Sequence, residues 1–225
     1  MTKLYEQTEL RQITGATLRP GGLELTRRGL ELCAFKAGGK VLDIGCGPGE
    51  SLGLMREMDL EACGLDISEK LLAEAALRGP VILGNAENIP LKDEALDGAS
   101  MECVLSLVED KTLALREIWR LLRPGGRLFL SDLFLRKDAD QDKNATGCLA
   151  GAETLAKLRG LLRNAGFNVL HEIDESKRLA ELAANMIFKY GSPEEFFRQW
   201  GLGECPCRES RKNLGYVVFV AEKKA

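Results

Sequence analysis

The sequence predicts an α/β fold: one doubly wound sheet of seven strands, mostly parallel, with the last strand antiparallel. Three observations predict it. Helix-like and strand-like segments alternate along the 225 residues without an internal repeat or a linker-like stretch, the pattern of a parallel sheet covered on both faces. The run Val41-Leu42-Asp43-Ile44 reads as a buried strand that empties into Gly45-Cys46-Gly47-Pro48-Gly49, a turn where bare backbone meets a ligand because no Cβ stands in the way. A second short strand, Glu61-Ala62-Cys63-Gly64-Leu65, closes on Asp66, about twenty residues past the first glycine, where doubly wound folds place an acid for ribose hydroxyls.

The elements follow in order. A helix is expected over 22–35 and the first strand over 40–45. Next come a helix over 51–58, the strand 61–66, a helix over 68–78 and a strand over 81–84, which Gly79-Pro80 punctuates. The strand 97–103 precedes a helix over 110–122, and Pro124-Gly125-Gly126 marks the start of the strand 126–133. A helix over 152–165 ends near Gly166, which opens the strand 167–173. Residues 175–212 read as a mostly helical insertion, and Leu214-Gly215-Tyr216-Val217-Val218-Phe219-Val220 suits a final antiparallel strand over 214–221. Ligands of such sheets sit at the carboxyl ends of the strands, which gathers residues 45–49, Asp66, Asn85 and residues 101–103 on one edge.

Composition limits the function. A 45% hydrophobic content suits one domain with a sizeable core, and a net charge of −3 announces no broad basic surface for nucleic acid. The cluster 208–212 (Arg-Glu-Ser-Arg-Lys) carries its own acid and reads as a solvated face. The first residues lack an apolar core segment and no apolar run has membrane-span length, so a cytoplasmic protein without membrane contact is expected. Seven scattered cysteines argue against a disulfide framework. Cys33, Cys46 and Cys63 read as small apolar fillers. With His171 the single histidine, read as surface, and no paired Cys-x-x-Cys units, no metal site is expected.

The glycine turn is Gly-x-Gly-x-Gly. A dinucleotide fingerprint would place its third glycine where Glu50 stands, and a carboxylate there repels a pyrophosphate. Asp43 and Glu50 therefore favour a cationic ligand, and Asp66 makes that ligand a nucleoside. Glu50 likewise disfavours a nicotinamide oxidoreductase.

These residues resemble the class I S-adenosylmethionine-dependent methyltransferases, of Rossmann-like fold. The family's first motif looks like residues 41–49, its ribose acid like Asp66 and its adenine-binding stretch like Gly84-Asn85-Ala86-Glu87-Asn88-Ile89-Pro90, with Asn85 where Asp is usual. Its fourth-strand segment resembles Leu96-Asp97-Gly98-Ala99-Ser100-Met101, and its helix and fifth strand resemble residues 121–130. The resemblance implies S-adenosyl-L-methionine as cofactor, S-adenosyl-L-homocysteine as product, and in-line methyl transfer to a small-molecule acceptor. It also implies cofactor contacts at Asp43, Gly45, Cys46, Gly47, Gly49, Asp66, Ile67, Asn85, Ala86, Glu87 and Met101. The chain then divides into an N-terminal helical lid (1–38), a cofactor-binding half (39–135) and a substrate-side half (136–225).

Residues after the fourth strand face the methyl in this family, which makes Glu102 and Cys103 candidates for catalysis. Asp132, at the end of the fifth strand, either lines the substrate pocket or caps the next turn. Arg19 offers a fork for a substrate carboxylate if residues 17–22 fold over the site, and otherwise lies in solvent at a helix start. A narrower resemblance, to the arsenite methyltransferases, covers residues 102–111, 131–134 and 147–152. It implies that Cys148 and one of Cys205 and Cys207 hold trivalent arsenic, a soft centre suited to convergent thiolates. A domain that binds the cofactor without turnover, as a regulator or scaffold, is the reading from another class.

Overall fold

The computed structural model describes Thr17 and residues 19–137, 149–192, 195 and 213–224. Helix α1 (Gly22–Cys33) leads into β1 (Lys40–Ile44), α2 (Glu50–Glu57), β2 (Glu61–Asp66), α3 (Glu69–Ala75) and β3 (Val81–Leu83). Then come β4 (Leu96–Glu102), α4 (Lys111–Leu121), β5 (Leu122–Leu135), the two-residue β6 (Glu153–Thr154) and α5 (Leu155–Asn164). Strand β7 (Phe167–Asp174), α6 (Ser176–Tyr190) and β8 (Leu214–Lys223) complete it.

The strands lie in the order β3-β2-β1-β4-β5-β8-β7, with β6 beside β5. From β1 the chain winds outward through β2 and β3, then returns to the other side of β1 as β4. Reversal of direction between β1 and β4 opens a crevice outside their carboxyl ends, the place where such sheets bind ligands. Strand β8 runs antiparallel to both β5 and β7, as the sequence predicts. Among the described residues no helix is long and apolar enough to cross a membrane.

Period-two alternation divides the core between the two faces of the sheet. Leu42, Ile44, Met101, Leu128, Leu130, Val217 and Phe219 pack on one face with Leu115 and Ile118 of α4 and Leu162 of α5. Val41, Phe129, Tyr216, Val218 and Val220 pack on the other with Leu25 and Leu30 of α1 and Leu52 and Met55 of α2. Helix α1 sits close on β5 because Gly29 has no side chain. A Cβ there would collide with the Phe129 ring.

Boundaries differ from the sequence reading where a local hydrogen bond or a special dihedral decides. Helix α1 stops at Cys33 because Ala34 turns left-handed, at φ 48°. Helix α3 starts after Ser68, whose hydroxyl accepts the Leu71 N–H, and ends at Ala75, three residues short of expectation. Strand β5 begins at Leu122 rather than 126 because Pro124-Gly125-Gly126 forms an irregularity within it, where pairing shifts from Leu96–Leu122 to Gly98–Arg127. The start of the helix expected at 152 is taken by β6, paired to Phe134 and Leu135, an eighth strand too short to show periodicity. Of the helical insertion over 175–212, α6 covers the first part. His171 lies exposed on β7 itself.

Candidate active site

Strand β1 ends at Ile44, and the chain turns through three glycines with positive φ: Gly45 at 70°, Gly47 at 53° and Gly49 at 85°. The three serve different ends. On Gly45 a Cβ would collide with Val104, and on Gly49 it would lie 2.9 Å from Ala75 Cα, so these two permit close packing. On Gly47 a Cβ would meet nothing within 4 Å, so this backbone faces open space that a ligand can fill. Gly45 and Cys46 both donate their N–H to Leu65 O, which ties the loop to β2. Asp66 completes the tie: Oδ2 accepts the Gly47 N–H at 2.9 Å and Oδ1 the Ser68 N–H at 2.9 Å. A carboxylate has about four acceptor positions, so two are left for a ligand.

Two acids flanking the loop are not the open charges that the sequence suggests. Glu50 Oε1 is held 2.7 Å from Arg78 Nη2, and Arg78 also donates to Pro48 O, so the carboxylate at the helix start is paired. Asp43 lies beneath the loop, buried, with Ser100 Oγ donating to Oδ1 at 2.6 Å. Burial pushes its carboxyl up to about 7. Cys46 turns its side chain inward, where a Cβ on Gly64 would lie 2.6 Å from its sulfur, so its part in any ligand contact is backbone alone.

At the next strand ends an apolar shelf appears. Ile67 is 56% exposed and Leu83, whose neighbour across the ladder is Asp66, is 53% exposed. Beyond them Asn85 and Glu87 form a closed turn in which Asn85 Oδ1 accepts the Glu87 N–H and Asn85 Nδ2 donates to Glu87 Oε2. Glu87 Oε1 then accepts the Asp110 N–H, and Ala86 is buried under the turn. Met101 belongs elsewhere. Its side chain is wholly enclosed between Ile44 and Leu130 in the core, which corrects its assignment to the ligand site.

Glu102, the last residue of β4, is held in a buried network. Arg19 Nε lies 3.0 Å from Glu102 Oε2, with side chains 15% and 4% exposed. Arg19 Nη2 also donates to Thr26 Oγ1 and Ser51 Oγ, while Thr26 Oγ1 lies 3.0 Å from Glu102 Oε1 as donor. Thr17 and residues 19–22 thus do fold onto the strand ends, where Arg19 is engaged by Glu102, Thr26 and Ser51 of this protein rather than lying in solvent. Burial pushes the Glu102 carboxyl up, and Arg19 and Thr26 pull it back only in part. Cys103, next in the chain, adopts φ 56°, and its Sγ lies 3.2 Å from Tyr216 Oη. Asp132 takes the capping role: it accepts from Ser106 N–H at 2.8 Å and Ser106 Oγ at 2.7 Å and is buried. Cys148, Cys205 and Cys207 lie outside the described residues.

A family model described as a methyltransferase domain matches residues 42–130. The 27-O-demethylrifamycin SV methyltransferase of Amycolatopsis mediterranei is 30% identical over 237 residues, covering 92% of this chain and 86% of that relative. The chain belongs to the methyltransferase family. An arsenite methyltransferase of Halobacterium salinarum is 31% identical over 155 residues, but this methyltransferase chain spans only 39% of its length. Among solved structures the [4+2]-cyclase SpnF superposes with a TM-score of 0.74 at 26% identity, covering 90% of this chain and 80% of that chain. The fold therefore carries more than one chemistry, and function has to be argued from the site.

Four polar residues of this candidate site escape the sequence reading: Thr26, Ser51, Ser131 and Tyr216. Their one signal is a polar group at an inward position of an otherwise apolar element, as in Leu128-Phe129-Leu130-Ser131. Among the described residues no group of three or more His, Cys, Asp or Glu is placed to hold a metal ion.

Proposed function

We propose that this chain binds S-adenosyl-L-methionine in the crevice above β1 and β4 and transfers its methyl group to a small-molecule acceptor. The observation that carries the reading is Asp66, which clamps the loop so that the Gly47 backbone faces open space while two of its own acceptor positions stay free for ribose hydroxyls. Ile67 and Leu83 supply the apolar surface that a nucleobase stacks on, and the Asn85–Glu87 turn supplies polar groups at its edge. Bound there, the sulfonium supplies an already activated methyl group. The protein's task is to align an acceptor and exclude water. Asp43 and Glu102 beneath the site, offset among the described residues by Arg19, suit a positively charged ligand.

Calorimetry tests the reading: S-adenosylmethionine and S-adenosylhomocysteine bind with micromolar Kd, and Asp66→Ala abolishes the heat. No heat from either, with Asp66→Ala indistinguishable from wild type, overturns it. An acceptor screen that detects binding without any turnover would establish the regulator or scaffold reading. The Halobacterium salinarum relative keeps a second acceptor, arsenite, in view. That reading predicts arsenite methylation in excess thiol that is lost in Cys148→Ser, and turnover unaffected by this change removes it.

A further inference from the structure

Cys103, Tyr216, Ser131 and Glu102 come from β4 and the residue after it, β8 and β5, and lie next to one another in that order. Cys103 Sγ lies 3.2 Å from Tyr216 Oη. Tyr216 Oη donates to Ser131 Oγ at 2.9 Å. Ser131 is the ladder neighbour of Glu102 across β4 and β5, and its hydroxyl favours the charged form of the Glu102 carboxyl against burial.

With Glu102 ionised, proton counting gives this chain one consistent direction. A hydroxyl carries one proton and a carboxylate only accepts. Ser131 therefore gives its proton to Glu102 and accepts from Tyr216. Tyr216, its proton committed to Ser131, accepts from the Cys103 thiol. All donors point inward, toward the carboxylate. Access is one-sided as well: Tyr216, Ser131 and Glu102 are buried, and Cys103 alone among the four is half-buried, at the carboxyl end of β4. The left-handed backbone at Cys103 is one that few residues other than glycine adopt, and it is fixed by the hydrogen bond from Cys103 N–H to Ser131 O. A solvent-averse carboxylate reached through a single polarised chain is an arrangement for moving a proton.

We propose that Cys103, Tyr216 and Ser131 form a relay that delivers the hydroxyl proton of an alcohol or phenol acceptor to Glu102 during methylation. The proposal rests on the methyltransferase reading above and narrows its acceptor to an O–H compound. The acceptor hydroxyl gives its proton to Cys103 Sγ as the thiol proton moves to Tyr216, the Tyr216 proton to Ser131 and the Ser131 proton to Glu102. The oxygen pair thereby freed forms the new O–C bond, and the electrons of the broken S–C bond stay on sulfur as the neutral thioether. Glu102 ends protonated and returns the proton to water by the reverse path. Arg19 and Thr26 hold Glu102 in place from the far side, and Asp43 is the other acid that faces it. They position the acceptor end without touching substrate.

Two measurements test the relay. In cofactor-free protein the infrared S–H stretch of Cys103, assigned by its loss in Cys103→Ser, moves to higher frequency in Tyr216→Phe as the Tyr216 oxygen is removed. An unmoved band overturns the polarity on which the relay depends. The second follows methyl ether formation from S-adenosylmethionine with 4-nitrophenol, which ionises near neutrality, and 4-methylphenol, which stays protonated. Tyr216→Phe lowers the ratio of the 4-methylphenol to the 4-nitrophenol rate about 100-fold, the size of a general-base contribution. Ser131→Ala, cutting the next link, does the same, and Ser131→Thr restores the ratio. A structural role lowers both rates together and overturns the proposal, as does wild-type protein that methylates neither phenol. Calorimetric cofactor binding in that last case shows that the relay has failed and the cofactor reading has not.

Discussion

At the residue scale the site depends on a carboxylate that does two jobs. Asp66 accepts backbone N–H groups from both the glycine loop and the start of α3, so its removal leaves two donors without partners. Hydrogen bonds to a charged acceptor are worth more than neutral ones, and Asp66→Ala is expected to lower unfolding stability by about 2–4 kcal/mol as well as abolish binding. Urea melts check this; an unchanged midpoint removes the clamp. The glycines separate in the same way. Gly47→Ala meets open space and incurs only the left-handed backbone cost of about 1–2 kcal/mol, while Gly45→Ala adds a collision with Val104. Gly47→Ala is therefore the milder of the two in melts, yet it places a methyl in the open space proposed for the cofactor and is expected to weaken cofactor binding about tenfold, ~1.4 kcal/mol. If the two variants melt alike, the division of labour among the glycines is wrong. The sequence exposes Asp66 and the glycines because their spacing is local. It conceals the partners that change their meaning: Arg78, which pairs Glu50 from 28 residues away, and Ser100, which pairs Asp43 from 57.

At the element scale, periodicity makes the strands and most helices readable, and a missing side chain decides how they dock. The near-continuous apolar runs in β1, β5 and β8 mark strands buried on both faces before any contact is known, since each face must find a cover. What alternation cannot show is that α1 approaches β5 through Gly29, or that a two-residue strand takes the start of the expected helix before α5. Gly29 reads as a weak point in a helix, yet its lack of a side chain admits the Phe129 ring. Gly29→Ala should raise helix propensity and still destabilise the protein, by about 1–3 kcal/mol, because overpacking outweighs the propensity gain of about 1 kcal/mol. The same change lifts Thr26 off Glu102, one turn away on the same helix, so the site loosens with the dock. Thermal melts together with cofactor calorimetry read both effects; a more stable variant contradicts the close approach.

At the scale of the whole molecule the acids fall into two groups with opposite linkage to pH. Glu117 is held low first by the hydrogen bond from Arg120, and Glu172 first by that from Arg159, so both favour the folded state once pH exceeds their unfolded values and lose this as acid protonates them. Asp43, Glu102 and Asp132 run the other way, because burial raises all three. For Asp43 the window is defined. Its carboxyl rises from an ordinary value of 3.8 to about 7 in the fold, so between these limits the unfolded chain has lost a proton that the folded one keeps. Unfolding stability then falls as pH rises through that window, and the loss is complete above it. Asp43→Asn removes the titrating group while leaving an oxygen for the Ser100 hydroxyl. Urea unfolding at pH 5 and pH 8 is expected to show a smaller drop for the variant than for wild type, by about 1–4 kcal/mol. Asp43 is buried among Ser100, Glu102, Arg19 and Asp66, so the measurement also asks whether the fold keeps a proton beneath a site meant for a cation. Identical drops in the two proteins mean that Asp43 is already ionised at pH 5. A larger drop in the variant reverses the sign and removes buried-acid strain as the source.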